Sequence, residues 1–182
     1  MAILGGICLC CAFGFLKLLP NSRNFIAQQG LSFKFHLHAW YAHLSHTRLL
    51  KIYGIGFLLT SVFVTLFNYV TFRLFAAPYH LSQTQISLIF LSYSLGIISS
   101  SIAGNIADRI GKKQVMILGF LCMLLGVLLT LSASLFLIIL GIGSVTTGFF
   151  IAHAIASSRV GELATSNKGH ATSLYLLFYY LG

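Results

Sequence analysis

Few side chains in this chain of 182 residues could do acid–base chemistry. Its only acidic side chains are Asp108 and Glu162, against eleven Lys and Arg. The sequence has no pair of carboxylates spaced for general acid–base catalysis, no Ser/His/Asp set and no phosphate-binding loop. We therefore expect no enzymatic activity and no cofactor. Glu162 is expected to form a local ion pair with Arg159 or Lys168 rather than to relay protons.

The histidines and cysteines do not form a metal-binding pattern. His36, His38, His43 and His46 lie close together, but no acid or Cys stands among them, so no metal site is expected and a metal site or pH sensor is the minor alternative. The cysteines all fall in apolar stretches, where a free Cys behaves as a small hydrophobic residue. They are Cys8, Cys10, Cys11 and Cys122.

The composition places the chain in the membrane class. Hydrophobic residues make up 58% of it and charged residues only 7%, whereas soluble domains carry about 25% charged residues. A soluble globular fold and a disordered chain are both excluded. Since about twenty apolar residues cross the hydrocarbon core, we expect an all-α polytopic membrane protein with five full transmembrane helices and a truncated sixth. The expected spans are 1–19, 52–72, 86–107, 114–131, 135–158 and 171–182.

Basic residues indicate which loops face the cytoplasm. Ten of the eleven Lys and Arg lie in or beside the first, third and fifth loops, and Arg73 alone lies in the second. The positive-inside rule therefore places residues 20–51, 108–113 and 159–170 in the cytoplasm, and residues 74–85 and 132–134 outside. This distribution explains the net charge of +9 without nucleic-acid binding, which we do not expect.

The spans differ in polarity. Spans 1–19 and 114–131 have almost no hydrogen-bonding side chains, which is typical of lipid-facing helices, whereas polar side chains recur on one face of 52–72 and within 86–107 and 135–158. Such groups are costly in lipid and turn toward protein or a water-filled cavity; helix packing through small residues is the alternative for the Ser and Gly positions. The candidate cavity-lining residues are Ser61, Thr65, Asn68, Tyr69, Tyr93, Thr147, His153 and Tyr175.

The connector 20–51 contains a stretch that predicts an amphipathic helix. Between residues 33 and 44, apolar and aromatic side chains recur at helical spacing, with Lys34 and three histidines among them. Trp40 and Tyr41 suit a membrane–water interface. We expect this helix to lie on the cytoplasmic surface of the bilayer.

The strongest local motif is the turn between the third and fourth spans, Gly-Asn-Ile-Ala-Asp-Arg-Ile-Gly-Lys-Lys at 104–113. Gly111 suits a tight turn and Gly104 a close helix approach. The segment resembles the G-x-x-x-D-[RK]-x-G-[RK]-[RK] signature of the major facilitator superfamily. The resemblance implies a conformational gate in which the Asp108 carboxylate caps the positive end of a helix in the other bundle. The gate residues would be Gly104, Asp108, Arg109, Gly111, Lys112 and Lys113.

The resemblance extends over essentially the whole chain. Residues 68–84 and 173–182 look like the second half of bacterial efflux-type members. The family's fold has twelve helices, so 1–19 would be its sixth span, 20–51 its cytoplasmic linker, and 52–182 the start of a truncated C-terminal six-helix bundle. The N-terminal bundle would be missing, and we expect the chain alone to insert poorly and to transport nothing.

The resemblance also implies a function. It indicates secondary active transport by alternating access across the cell (inner) membrane, with proton-coupled efflux as the expected mode. The partners would be a small-molecule substrate, protons, the lipid bilayer and the missing N-terminal bundle. A non-transporting membrane remnant or an accessory membrane protein is the alternative.

Overall fold

The computed structural model describes residues 2–19 and 32–182, and every regular element in these two ranges is helical. The chain divides into two units, Met1–Ser32 and Phe33–Gly182. Residues 20–31 of the predicted connector, including Arg23, lie outside the described part.

The first unit contains one described helix, α1, at Ala2–Leu18. Its 17 residues extend for about 25 Å at 1.5 Å per residue. Nearly all its side chains are exposed, including Cys8, Cys10 and Cys11. A helix that is apolar on all sides has no polar face to present to water, which is typical of a helix surrounded by lipid.

The second unit contains the remaining described helices. A short 3₁₀ turn at Phe90–Ser92 joins α4 to α5, so that Gln83–Ile110 forms one apolar helical rod. The helices are α2 at Phe33–Leu44, α3 at Thr47–Phe75, α4 at Gln83–Ile89, α5 at Tyr93–Ile110, α6 at Lys112–Thr130, α7 at Leu135–Leu163 and α8 at Lys168–Leu181.

Four of the described helices are long and apolar enough to cross a membrane: α3, the α4–α5 rod, α6 and α7. Helix α1 falls below the same length, and α8 has 14 residues. The expected count of five full spans is therefore not established by helix length. The long helices overrun the predicted spans 52–72, 86–107 and 135–158, because a helix continues into its polar ends after the hydrocarbon core has been crossed.

Helix α7 is the centre of the second unit and packs against α3, α5, α6 and α8. Its side chains Ile138, Val145 and Ala152 have no exposed surface. The closest packing is with α6, because glycines face each other across the interface. A Cβ atom at Gly148 would lie 2.4 Å from the Gly119 carbonyl oxygen, and one at Gly126 would lie 2.6 Å from the Gly141 carbonyl oxygen.

Helix α6 has two distinct sides, although its sequence has few polar residues. Gly119, Met123 and Gly126 are buried on the side that packs against α7. Ile117, Leu121 and other large aliphatic side chains are exposed on the remaining surface. The expected lipid-facing character therefore applies to part of the helix circumference.

Candidate functional site

Gly111 forms the turn between α5 and α6. Its φ is +95° and its ψ is 143°, a backbone conformation that a residue with a Cβ atom rarely adopts. Its N–H donates to the Ala107 carbonyl oxygen at 2.9 Å and closes the last turn of α5. One residue thus ends α5 and allows α6 to begin at Lys112, which holds the predicted gate residues in a short, rigid turn.

Lys112 fixes this turn to the end of α7. Its ammonium group donates to the Ser158 hydroxyl at 2.7 Å and forms an ion pair with Glu162. Arg159 also approaches Glu162, at 3.9 Å. The expected ion pair between Glu162 and Arg159 is therefore present, at a longer N–O distance than the pair with Lys112. Lys168 takes no part in the two ion pairs found in the described ranges. The contact between Glu162 and Lys112 was not expected.

Asp108 lies beside this network without joining it. Its side chain is exposed on the last turn of α5, and within residues 2–19 and 32–182 it makes no ion pair or hydrogen bond. Arg109 and Lys113 are also exposed. Lys112 is paired with Glu162 and the Asp108 side chain is exposed. The Asp108 carboxylate is therefore accessible to a group outside the described chain.

Gly104 does not make the close contact that we expected from its small size. A Cβ atom placed there would find nothing within 4 Å, so no described helix approaches it closely. Gly96, two turns earlier on the same face, does make such a contact, since a Cβ atom there would overlap the ring of Phe150.

His153 and Tyr175 meet at the interface of α7 and α8. The Tyr175 hydroxyl lies 2.9 Å from His153 Nδ1, and their rings stack at 5.7 Å. Tyr175 is fully buried, and Gly56 on α3 leaves room for its ring, because a Cβ atom at Gly56 would lie 2.7 Å from it. The hydrogen bond satisfies both polar groups inside an otherwise apolar bundle.

An aromatic cluster surrounds this pair and joins four helices. The rings of Phe63 and Phe149 stack at 4.1 Å, and Tyr93 packs edge-on against Phe63 at 5.5 Å. Phe149 stacks on His153 at 5.8 Å, and Tyr179 lies 4.6 Å from His153. The cluster therefore brings together three candidate cavity residues, Tyr93, His153 and Tyr175.

The other candidate cavity residues lie elsewhere. Ser61, Thr65 and Tyr69 line a groove of about 700 Å³ between α3 and α6. Thr147 lines an apolar cavity of about 350 Å³ among α5, α6 and α7. Asn68 is exposed on α3. The eight residues therefore occupy several places rather than one cavity in the described bundle.

Arg73 is a residue whose role the sequence reasoning missed. Its guanidinium donates to the carbonyl oxygens of Thr130 and, at 2.7 Å, Ser132. The Tyr79 hydroxyl donates to the Ala133 carbonyl oxygen at 2.7 Å. These bonds fix the end of α3 to the α6–α7 turn. In the sequence, the feature that could have indicated this role is that Arg73 is the single Lys or Arg in the predicted outer loops.

The described residues include no group of three or more His, Cys, Asp or Glu side chains that could hold a metal ion.

Similarity to known proteins identifies the family of the chain. A model of the Major Facilitator Superfamily matches residues 1–182. The chain belongs to the major facilitator superfamily.

Curated relatives share substantial identity with the chain. The inner membrane transport protein YnfM of Escherichia coli is 42% identical in an alignment of 186 positions, gaps included, that covers 100% of this chain and 43% of that protein. The uncharacterized MFS-type transporter YybF of Bacillus subtilis is 38% identical over 100% of this chain and 45% of its own length. An uncharacterized transporter of Buchnera aphidicola from Schizaphis graminum is 40% identical over 92% of this chain.

The chain spans less than half the length of these relatives, namely 43%, 45% and 40% of them. No solved structure matches it significantly.

Proposed function

We propose that this chain forms most of the C-terminal bundle of a secondary active transporter that moves a small organic solute across the inner membrane by alternating access. Family membership and the names of the relatives as transporters support this proposal. In the proposed arrangement, α1 crosses the membrane in addition to the four long apolar helices, which makes five full spans. Residues 20–51 form a cytoplasmic linker, and α8 is the first part of one more span.

The exposed, unpaired Asp108 carboxylate is the observation that carries the proposal. Lys112 is held by Glu162 and Ser158 on α7, so the α5–α6 turn moves with α7 as one body. Asp108 is exposed on that body and makes no ion pair or hydrogen bond within the described ranges. Such a carboxylate is suited to the N-terminal end of a helix in a separate bundle, where the helix dipole attracts negative charge.

Alternating access then follows from breaking and making this contact. When Asp108 is engaged, the cytoplasmic ends of the two bundles are held together and the pathway opens outward; when it is released, the pathway opens inward. The partly exposed members of the aromatic cluster, Tyr93, His153 and Tyr179, are the rings that a solute would contact, while the buried Tyr175 holds His153 in place. Since both acidic side chains lie at helix ends outside the proposed spans, those spans of this chain supply no carboxylate to the pathway.

We propose further that transport is proton-coupled efflux, with His153 as the proton-binding group of this half. His153 is the single histidine within the proposed spans 52–72, 86–107, 114–131, 135–158 and 171–182. Its partner Tyr175 is a phenol that can accept or donate a hydrogen bond, so the pair can accommodate either protonation state of the imidazole.

A hybrid transporter tests the proposal. This chain replaces the matching part of the Escherichia coli YnfM protein, and the hybrid is reconstituted into vesicles with a panel of small organic solutes. We expect solute accumulation that an imposed proton gradient drives and that a protonophore abolishes. His153→Gln should retain solute binding and lose the dependence on the gradient, whereas His80→Gln in the outer loop should behave as the unaltered hybrid.

Absence of solute flux in a correctly inserted hybrid would contradict transport and favour a non-transporting accessory role. Gradient-driven flux that persists in His153→Gln would remove His153 from the proton pathway.

A further inference from the structure

The amphipathic helix α2 and the first half of α8 enclose an apolar groove that has no role in the proposed transport mechanism. Its volume is about 590 Å³, within the range of about 300–1,000 Å³ typical of ligand pockets. The lining is almost entirely apolar. It is formed by Leu37, Trp40, Tyr41 and Leu44 from α2, and by Leu174 and Leu177 from α8.

The groove has one polar end. His36 Nδ1 and His170 Nε2 lie 2.8 Å apart and join α2 to the start of α8. Trp40 packs against the His170 ring at 6.1 Å. Burial, followed by the charges on His36 and His43, lowers the pKa of His170, so its imidazole is neutral at pH 7. The neutral His170 ring therefore adds no charge to this end of the groove.

Two lysines stand at this polar end. Lys34 precedes Leu37 by one helical turn and Tyr41 by two, on the same face of α2. Lys168 is the first residue of α8 and precedes the groove residues Leu174 and Leu177 along that helix. Both side chains are exposed, and neither joins the two ion pairs in the described ranges.

Negative charge is absent from this neighbourhood. Helices α2 and α8 have no acidic residue, and Glu162 at the end of α7 is already paired with Lys112. An anion at the polar end would therefore meet two cations and no competing carboxylate. The outer part of the groove is accessible, because Tyr41 is 71% exposed and Leu177 is 52% exposed.

We propose that this groove binds an anionic phospholipid of the cytoplasmic leaflet, with an acyl chain along the apolar lining and the headgroup phosphate between Lys34 and Lys168. The charge-based topology places the start of α8 at the cytoplasmic surface, where anionic lipid attracts basic side chains. In this topology Trp40 and Tyr41 would lie at the depth of the headgroups, where amphipathic rings are favoured. The bound lipid would fix α2 against α8.

Trp40 is the single tryptophan of the chain and provides an internal probe. The full chain is reconstituted in phosphatidylcholine vesicles that contain increasing amounts of phosphatidylglycerol with brominated acyl chains, which quench tryptophan fluorescence on contact. A parallel series uses brominated phosphatidylcholine. Since each basic side chain near the surface strengthens attraction to anionic lipid by about fivefold, we expect half-maximal quenching at an about fivefold or more lower fraction of brominated phosphatidylglycerol.

Charge-matched variants locate the effect. Lys34→Gln together with Lys168→Gln should make the two quenching curves coincide. Arg109→Gln together with Lys113→Gln removes the same charge from the α5–α6 turn and should leave the difference intact. Coincident curves in the unaltered chain would overturn the proposal without any variant. An equal loss of preference in both double variants would show general attraction to the surface, and it would also overturn the site.

Discussion

At the residue scale, the α5–α6 turn depends on one backbone conformation. Gly111 has φ +95°, where a residue with a Cβ atom is strained by about 1–3 kcal/mol. The neighbouring Lys112 is held on α7, and Asp108 is left accessible. A change at Gly111 would therefore alter the angle between α5 and α6 and move the Asp108 carboxylate.

We predict that Gly111→Ala lowers the free energy of unfolding of the chain by about 1–3 kcal/mol, because alanine is strained at this φ. Gly104→Ala is the matched control on the same motif. A Cβ atom there meets nothing within 4 Å, and alanine is favoured over glycine in a helix by about 1 kcal/mol. Thermal unfolding followed by circular dichroism in detergent measures both. Equal destabilisation by the two variants would contradict a special role for the Gly111 backbone.

The residues of the α5–α6 turn could be identified from the sequence, whereas their partners could not. Gly111 and Asp108 stand at fixed spacing within one short segment, so local pattern is sufficient to single them out. Lys112 and Glu162 are 50 positions apart and meet only because α6 packs against α7. A single sequence contains no information on that distance, and the closer residues Arg159 and Lys168 were the natural expectation.

At the element scale, the α6–α7 interface is held by backbone contact rather than by large side chains. Gly119 faces Gly148, and Gly126 faces Gly141. Small residues let two helices approach closely enough for van der Waals contact along their backbones, which is a main source of helix association in lipid. The interface positions α7 and therefore the end of α7 that binds Lys112.

We predict that Gly148→Ala lowers the unfolding free energy by about 1–3 kcal/mol, the usual cost of overpacking. The added Cβ atom would lie 2.4 Å from a backbone oxygen of α6, which cannot move without separating the helices. Gly161→Ala, on the same helix, meets nothing within 4 Å and should be neutral or stabilising. Thermal unfolding of both variants checks the pair, and a neutral Gly148→Ala would show that the interface is looser than described.

The contact between α2 and α8 should depend on pH. Burial and the charges on His36 and His43 lower the pKa of His170, so folding favours its neutral form. The stabilising effect is complete above the ordinary histidine pKa of about 6.5 and is lost as the pH falls through the lowered value.

Trp40 lies beside His170 and reports this change. We expect a fluorescence transition below pH 6.5 that His170→Gln removes and that His38→Gln, at an exposed position of α2, preserves. A transition that is unchanged in His170→Gln would assign it to another group.

Hydropathy located the long helices, but it did not establish their ends or faces. Lys51 and Arg73 bracket 52–72, and Arg159 follows 135–158, so these charges indicate where the hydrocarbon core ends. Helix α3 continues beyond both limits of its span, and α7 continues beyond residue 158. The periodic polar residues of α3 predicted a face turned toward protein or a cavity. The Ser61 hydroxyl instead donates to the Phe57 carbonyl oxygen of the same helix at 2.8 Å. A polar side chain that bonds to its own helix gives no direct indication of a cavity.

At the scale of the whole molecule, the distribution of positive charge predicts the orientation in the membrane. We expect a cysteine at position 83 to react with an impermeant thiol reagent added outside intact cells, and one at position 113 to react only after the membrane is permeabilised. Gln83→Cys and Lys113→Cys are made after the four native cysteines are replaced. Reaction of position 113 in intact cells would reverse the proposed topology.

The second unit is braced at both ends of its helices. Helix α7 holds α3, α5, α6 and α8 together, Arg73 fixes the ends of α3 and the α6–α7 turn, and Lys112 fixes the opposite end of α6. A body tied at both ends can rock without deforming. Its movement relative to a second bundle would depend on contacts at its rim, where Asp108 is an exposed carboxylate outside the two ion pairs of the described ranges.

In the proposed transporter, the Asp108 carboxylate stabilises the outward-facing state through a contact with a group in the other bundle. A contact of this kind contributes about 1–2 kcal/mol, which corresponds to an about five- to thirtyfold change in a two-state population. Asp108→Asn in the hybrid transporter should preserve expression and insertion, shift the resting state inward and reduce transport. Lys51→Gln, which removes an exposed charge near the start of α3 and outside the gate motif, is the control for a change of one charge.

The most direct measurement is the labelling rate, from outside, of a cysteine introduced in the outward-facing part of the pathway, recorded together with solute flux. We predict that Asp108→Asn lowers the labelling rate, by at most the about five- to thirtyfold change in the population ratio, and reduces flux, while Lys51→Gln leaves the labelling rate near that of the unaltered hybrid. An unchanged labelling rate with full flux in Asp108→Asn would contradict the account and leave Asp108 as an ordinary loop charge.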